Sequence, residues 1–257
     1  MTRFAPPTLY QCPSCAGYFT RSGFRSLFFV DAVPDWSDGK NDNWWARASG
    51  SVGRCPSCVG IIWIEDSVKL IRAPQKPRPI GAASRLWHLM TGDRSGRLQD
   101  EREWAALPRE IKEAERIDGL DSAKDFMDAL ANLPPDGDDR EVYLRRRLWW
   151  ASNDHLRRRT DEVPAGTQPA VAPAVAQANK LRLLELFESD PDNQVERGEL
   201  LRQLGRFDEA VAVLKAVKPN GYSEVMAMKI ERLAAARRAE LQDLKAVEVY
   251  TARNLVW

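Results

Sequence analysis

The sequence predicts an α+β protein, a small β-rich module followed by a mainly α-helical array. Three observations carry that reading. All four cysteines lie in two identical tetrapeptides, Cys12-Pro13-Ser14-Cys15 and Cys55-Pro56-Ser57-Cys58, within an N-terminal stretch rich in aromatic and β-branched residues. Pro74, Pro77 and Pro79 then end that stretch, because prolines at this density do not continue a strand interior. Beyond them, apolar residues recur at helical spacing over most of the remaining chain.

Taken in order, residues 1–72 form the β-rich module, with strands expected at Tyr18-Phe19, Leu27-Phe28-Phe29-Val30 and Ile61-Ile62-Trp63-Ile64. The stretch from Asp35 to Asn43, between the cysteine pairs, is rich in turn residues and centred on Asp38-Gly39. Residues 73–81 read as a Pro-rich linker and a domain boundary. A helical middle, 82–159, holds candidates at Ala82–Met90, Leu98–Ile117 (interrupted near Pro108), Ser122–Leu133 behind an Asp121 cap signal, and Asp138–Arg158. Residues 160–173 form a Pro/Ala-rich loop, and 174–257 a final helical region.

With 257 residues, 44% hydrophobic content and nine tryptophans, the chain has enough apolar matter for a real core. Its 38 basic and 37 acidic residues leave a net charge of +1, which argues against a protein built to coat nucleic acid. No apolar run has membrane-spanning length, and Met1–Pro7 lacks the apolar stretch of a signal peptide, so no membrane association is expected. Paired cysteines in such a chain fit a reducing, cytoplasmic setting in which thiolates hold metal.

Two C-x2-C turns supply four thiolates, the full tetrahedral complement of a zinc ion. Such a closed site leaves no position for a substrate. The rival, a redox dithiol, normally opens a helix with a single pair, and two matched pairs argue against it. The first 70 or so residues resemble a zinc ribbon. The resemblance implies structural zinc held by Cys12, Cys15, Cys55 and Cys58, with the long aromatic stretch between the pairs as an inserted hairpin.

The second informative stretch runs from Glu196 to Ala210, where Leu204-Gly205-Arg206-Phe207-Asp208-Glu209-Ala210 joins two helices. Small residues at Gly198 and Ala210 allow close packing, and Leu201, Leu204, Phe207, Val211 and Leu214 supply an apolar seam. This stretch resembles a tetratricopeptide repeat, with Gln194 where the family carries a bulky aromatic. The resemblance implies a concave binding groove lined by Asp192, Val195, Glu199 and Arg202, and neighbouring helices that cover the repeat.

A helix from Glu141 onward carries Arg145-Arg146-Arg147, Trp149-Trp150 and Arg157-Arg158-Arg159. Basic residues beside aromatics suit phosphates and bases, but Leu144, Leu148 and one of the tryptophans share a face as core residues do, and nearby acids offset the charge. His88 and His155 are the only histidines, all cysteines are committed, and no nucleophile or phosphate-loop motif is present, so no catalytic residue is assigned and no enzyme is expected. The expectation is an intracellular, bacterial adaptor, scaffold or inhibitor-like protein with a protein partner. Trp36, Trp44 and Trp45 are its candidate anchors, or else the cover of the ribbon's small core. The alternative is a nucleic-acid-binding regulator using the ribbon with Arg72, Lys76, Arg78 and the arginine triplets. A hydrolase built around His88 ranks third.

Overall fold

The computed structural model describes residues 3–26, 36–40, 51–74, 76–78, 81, 86–87, 90, 97–133, 138–157, 169–188, 190–218 and 222–247. The expected strand at Leu27–Val30, His88, and Trp44 and Trp45 lie outside them. The chain forms two compact units, one of Met1–Phe28 with Trp44–Leu120, the other of Phe29–Asn43 with Asp121–Trp257. Residues 73–81 thus fall inside the first unit, and the expected helical middle is divided after Leu120.

The first unit is built from short antiparallel strands. β1 (Arg3–Phe4) pairs with β4 (Phe24–Ser26). β2 (Thr8–Gln11) lies between β3 (Tyr18–Arg21) and β7 (Val68–Arg72). β5 (Val52–Arg54) lies between β6 (Ile61–Trp63) and β8 (Asp118–Gly119). In both hairpins the register brings the residues flanking a cysteine turn together, Gln11 opposite Tyr18 and Arg54 opposite Ile61. The unit also contains α1 (Arg97–Ala106) and the short α2 (Arg109–Lys112), separated at Pro108 as expected, because proline has no N–H for the preceding turn.

The second unit is helical: α3 (Ala123–Ala131), α4 (Asp138–Asn153), α5 (Pro173–Leu186), α6 (Gln194–Gln203), α7 (Phe207–Lys215) and α8 (Tyr222–Ala235). Ser122, one residue past the expected cap, starts α3 by accepting the Asp125 N–H at 3.1 Å. Pro173 opens α5, where its missing N–H costs nothing. Gly205, at φ +76°, closes α6 in a Schellman motif: its N–H reaches the Arg202 carbonyl at 3.0 Å and the Arg206 N–H reaches that of Leu201 at 2.9 Å. A Cβ on Gly198 would lie 2.5 Å from Leu214 Cγ, so only glycine permits the close approach of α6 and α7.

Leu201, Ala210, Leu214, Met226, Ile230 and Leu244 form one core cluster. Trp149, Leu183, Phe187 and Leu200 form another, with Trp149 wholly buried and its indole N–H donating to Gln203 at 3.0 Å. Leu144, Leu148 and Trp149 therefore face inward, and Trp149 is the tryptophan on the core face of the arginine-rich helix.

Between α4 and α5, Glu141 accepts Arg145 Nε at 2.6 Å and Arg182 Nε and Nη2 at 3.0 Å each. The Arg182 hydrogen bonds, followed by those of Arg145, outweigh desolvation and hold the Glu141 carboxyl down at about 2, against an ordinary value of 4.5. A carboxyl whose folded pKa lies below its unfolded one stabilises the fold above the unfolded value and loses that contribution as pH falls through the folded one. Glu141→Gln is therefore expected to lower Tm at neutral pH and to converge with the parent as pH drops from 4.5 to about 2, read by thermal unfolding across that range.

Candidate metal centre

The two cysteine turns have the same geometry. Cys12 N–H bonds the Gly17 carbonyl at 2.9 Å and Ala16 N–H the Cys12 carbonyl at 3.0 Å, and the second turn repeats this with Cys55 N–H to Gly60 at 2.9 Å and Val59 N–H to Cys55 at 2.9 Å. In each turn the residue after the second cysteine is left-handed, Ala16 at φ 58° and Val59 at φ 59°. Turns of this form aim both thiols of a pair to one side.

The four Sγ atoms of Cys12, Cys15, Cys55 and Cys58 all lie within 4.8 Å of one another, and Cys15 Sγ stands 3.8 Å from Cys55 Sγ. A tetrahedron with metal–sulfur arms of about 2.3 Å has sulfur–sulfur edges of roughly 3.8 Å, so the donor set fits a four-coordinate metal ion. Cys12 and Cys55 are buried, and Cys15 and Cys58 are exposed. A side chain at Gly17 would strike Ser57 Oγ at 2.6 Å, because the second turn presses against the first at that point.

Thiol acidity follows the same logic. Burial pushes Cys55 up, but the Cys58 and Ser57 backbone N–H groups and the Cys12 and Cys58 thiols bring it down to about 7. At Cys15 the Gly17 N–H lowers the pKa, yet burial and hydrogen bonds with Cys58, Cys12 and Cys55 outweigh it and push the thiol up to about 12. The Cys55 thiolate forms readily, and that of Cys15 resists unless a cation shares the site.

Around the thiols, Phe19, Ile62, Ile64 and Ile117 pack with Cys12 and Cys55. Ile117 belongs to a segment that joins both hairpins. Thr20 N–H reaches the Glu115 carbonyl at 2.7 Å, Ile117 N–H reaches the Thr20 carbonyl at 2.9 Å, and Asp118 and Gly119 pair with Arg54 and Gly53. Gly53 has to be glycine here, since a Cβ would meet the Asp118 carbonyl at 2.6 Å. Sequence reasoning missed this strut. Its one legible sign is the isolated apolar Ile117 among charged residues.

Val59 is 63% exposed and β-branched at positive φ. Left-handed backbone costs a non-glycine residue about 1–2 kcal/mol, and glycine adds roughly 0.5–1 kcal/mol of unfolded-state entropy. The strain wins. Val59→Gly is expected to stabilise the metal-loaded protein by about 0.5–1 kcal/mol, measured by denaturant unfolding.

The residues expected to line a binding groove part company. Asp192 is exposed, Val195 is half-buried, and both line a cavity of about 550 Å³ with Pro191, Arg197, Val217 and Lys218. Glu199 and Arg202 instead are wholly buried and paired to each other, Arg202 Nη2 to Glu199 Oε1 at 2.6 Å, so neither offers a surface. Trp36 is also buried, at 8% exposure, and belongs to the helical unit. It is therefore not an exposed anchor.

The arginines of α4 are engaged internally. Arg145 holds Glu141, Arg146 holds Glu196 at 2.9 Å and Asn193 at 2.8 Å, and Arg147 lies over the Tyr143 and Trp150 rings. No helix among the described residues is long and apolar enough to cross a membrane. No protein family, curated protein or solved structure matches the chain.

Proposed function

We propose that this chain is a protein-binding adaptor with two parts: a zinc-ribbon-like unit held by structural zinc at Cys12, Cys15, Cys55 and Cys58, and a tetratricopeptide-like helical unit that takes a protein partner. Four thiols within 4.8 Å of one another suit zinc, whose role in such a closed site is to supply folding energy. The Gly198–Leu214 approach and the Gly205 turn support the repeat-like pairing of α6 with α7.

The observation that carries the binding role is the 550 Å³ cavity at the start of α6, where Val195, Val217 and Pro191 lie beside Asp192, Arg197 and Lys218. A lining that mixes apolar side chains with both signs of charge suits a peptide segment, with burial giving affinity and the charges giving register. The second reading, a nucleic-acid-binding regulator, draws less support, since Arg145, Arg146, Arg147 and Arg157 make internal contacts.

The test is affinity capture of the tagged chain with and without nuclease, read by mass spectrometry, in parallel with Val195→Glu and Asp192→Lys. A stoichiometric protein that survives nuclease and is lost from the variants supports the adaptor reading. Nucleic acid in the eluate, with proteins lost on digestion, supports the regulator. A partner indifferent to both variants removes the cavity from the account.

A further inference from the structure

Residues Trp36–Lys40 come from the stretch between the two cysteine pairs, yet they belong to the helical unit. They form a turn there, with Gly39 N–H on the Trp36 carbonyl at 3.0 Å and Gly39 at φ +79°. Trp36 bridges Asp243 in antiparallel fashion, and Ser37 N–H donates to the Gln242 carbonyl at 2.9 Å. The Ser37 hydroxyl uses its full capacity. It donates to Glu199 at 2.7 Å and accepts from Arg202 and from Gln242 N–H, both at 3.2 Å.

Asp38 is wholly buried, and its carboxylate accepts Asn153 at 2.9 Å and pairs with Arg157. Its backbone carbonyl accepts the Trp150 indole N–H at 2.8 Å. The Arg157 guanidinium lies 5.8 Å from the Trp36 ring centroid, and Lys40 pairs with Asp154.

An ordinary core segment buries apolar side chains. This one buries a serine and an aspartate with a single aromatic residue, and its polar atoms are met by side chains of α4 and α6 and by residues 154–157 and 240–243. Buried charge pairs add little net stability, but they discriminate sharply between a matching and a mismatched occupant. Strand pairing on one side with side-chain recognition on the other is also how extended peptides are bound.

We propose that α4, α6 and residues 154–157 and 240–243 form a recognition site for a short turn bearing an aromatic residue two positions before a carboxylate, and that Trp36–Lys40 occupies it in cis. A partner displaying a turn of the same chemistry binds there by displacing the chain's own segment. This rests on the protein-binding reading above and names both the partner's chemistry and the contact that holds the site closed. A tethered segment competes at an effective concentration on the order of 1 mM, so a free peptide of equal intrinsic affinity cannot bind the parent more tightly than about that value.

The experiment uses the full chain and a fluorescent synthetic peptide with the sequence of residues 33–41, read by anisotropy. Trp36→Ala combined with Asp38→Ala weakens the cis copy without touching the site. This variant is expected to bind the peptide at least ~10-fold more tightly than the parent. Adding Arg157→Ala, or replacing Asp38 of the peptide by alanine, is expected to abolish binding.

Circular dichroism of the double variant guards the interpretation. If the helical signal collapses, the segment is core and the proposal falls; if the fold persists and no peptide binds, or parent and variant bind alike, it falls too. A captured partner without peptide binding leaves the adaptor reading standing and removes this site. Peptide binding with no captured partner does the reverse.

Discussion

Chelation of the metal is expected to unfold the N-terminal unit and leave most of the helical signal intact. Among the described residues, the cluster around the thiols is Phe19, Ile62, Ile64 and Ile117 with Cys12 and Cys55, carried on strands of two to five residues. Strands so short do not hold together on their own. Structural zinc contributes apparent binding energies of about 10–16 kcal/mol at neutral pH, far more than such a core supplies. Cys12→Ser and Cys55→Ser, at the buried ligands, are expected to abolish metal retention. The measurements are metal content by atomic spectrometry and amide exchange before and after chelation. Protection should vanish over residues 8–21 and 51–72 and persist in α6–α8. Retention of bound metal and of stability by a variant lacking all four cysteines would remove the zinc centre from this account.

Breaking the Glu199–Arg202 pair is expected to be the most damaging single change in the helical unit. Both side chains are fully buried, with Arg202 Nε on Glu199 Oε2 at 2.7 Å and Nη2 on Oε1 at 2.6 Å. Arg202 also holds the Arg238 carbonyl and, at 3.0 Å, that of Glu240, so it anchors the chain that follows α8. Arg202→Ala leaves a buried carboxylate without its cation and two carbonyls without a donor, at a cost of about 3–5 kcal/mol. Glu199→Ala is expected to be comparable, because the guanidinium is then the uncompensated charge. The double substitution should cost clearly less than the sum, since no charge is left behind. Denaturant unfolding of the four proteins checks this, and strict additivity would mean that the two groups do not act as a pair.

Their burial also corrects the reading of α6. Asp192, Val195, Glu199 and Arg202 lie three to four residues apart, the spacing of one helical face, and a face with that much charge reads from local pattern as solvated. The first two residues do meet a cavity. The last two are covered by Ser37, over 160 positions away in the chain, and by the segment after α8. A local window carries no signal for either cover.

The cysteine turns were legible for the opposite reason. A C-x2-C turn is a local object whose geometry depends on the residues within it, and two identical copies imply one shared ion. The same holds for the α6–α7 hairpin, where Gly198, Gly205 and Ala210 state their packing and turn requirements in place. The change from β-rich to helical composition was likewise local, and the structure has antiparallel strands as far as Arg72 and mostly helices after them, with β8 the exception.

By itself, then, the sequence determined a four-thiol site, a β-rich start, a helical remainder and one tight helical hairpin. Only the tertiary structure decided that Ile117 packs beside the four-thiol site and that the turn at Trp36–Lys40 sits inside the helical unit. It also decided that a charged helical face is partly an interior. Those three depend on partners roughly 40 to 200 residues apart, whose pairing follows from shape and charge satisfied at a distance, and no local propensity or periodicity records it.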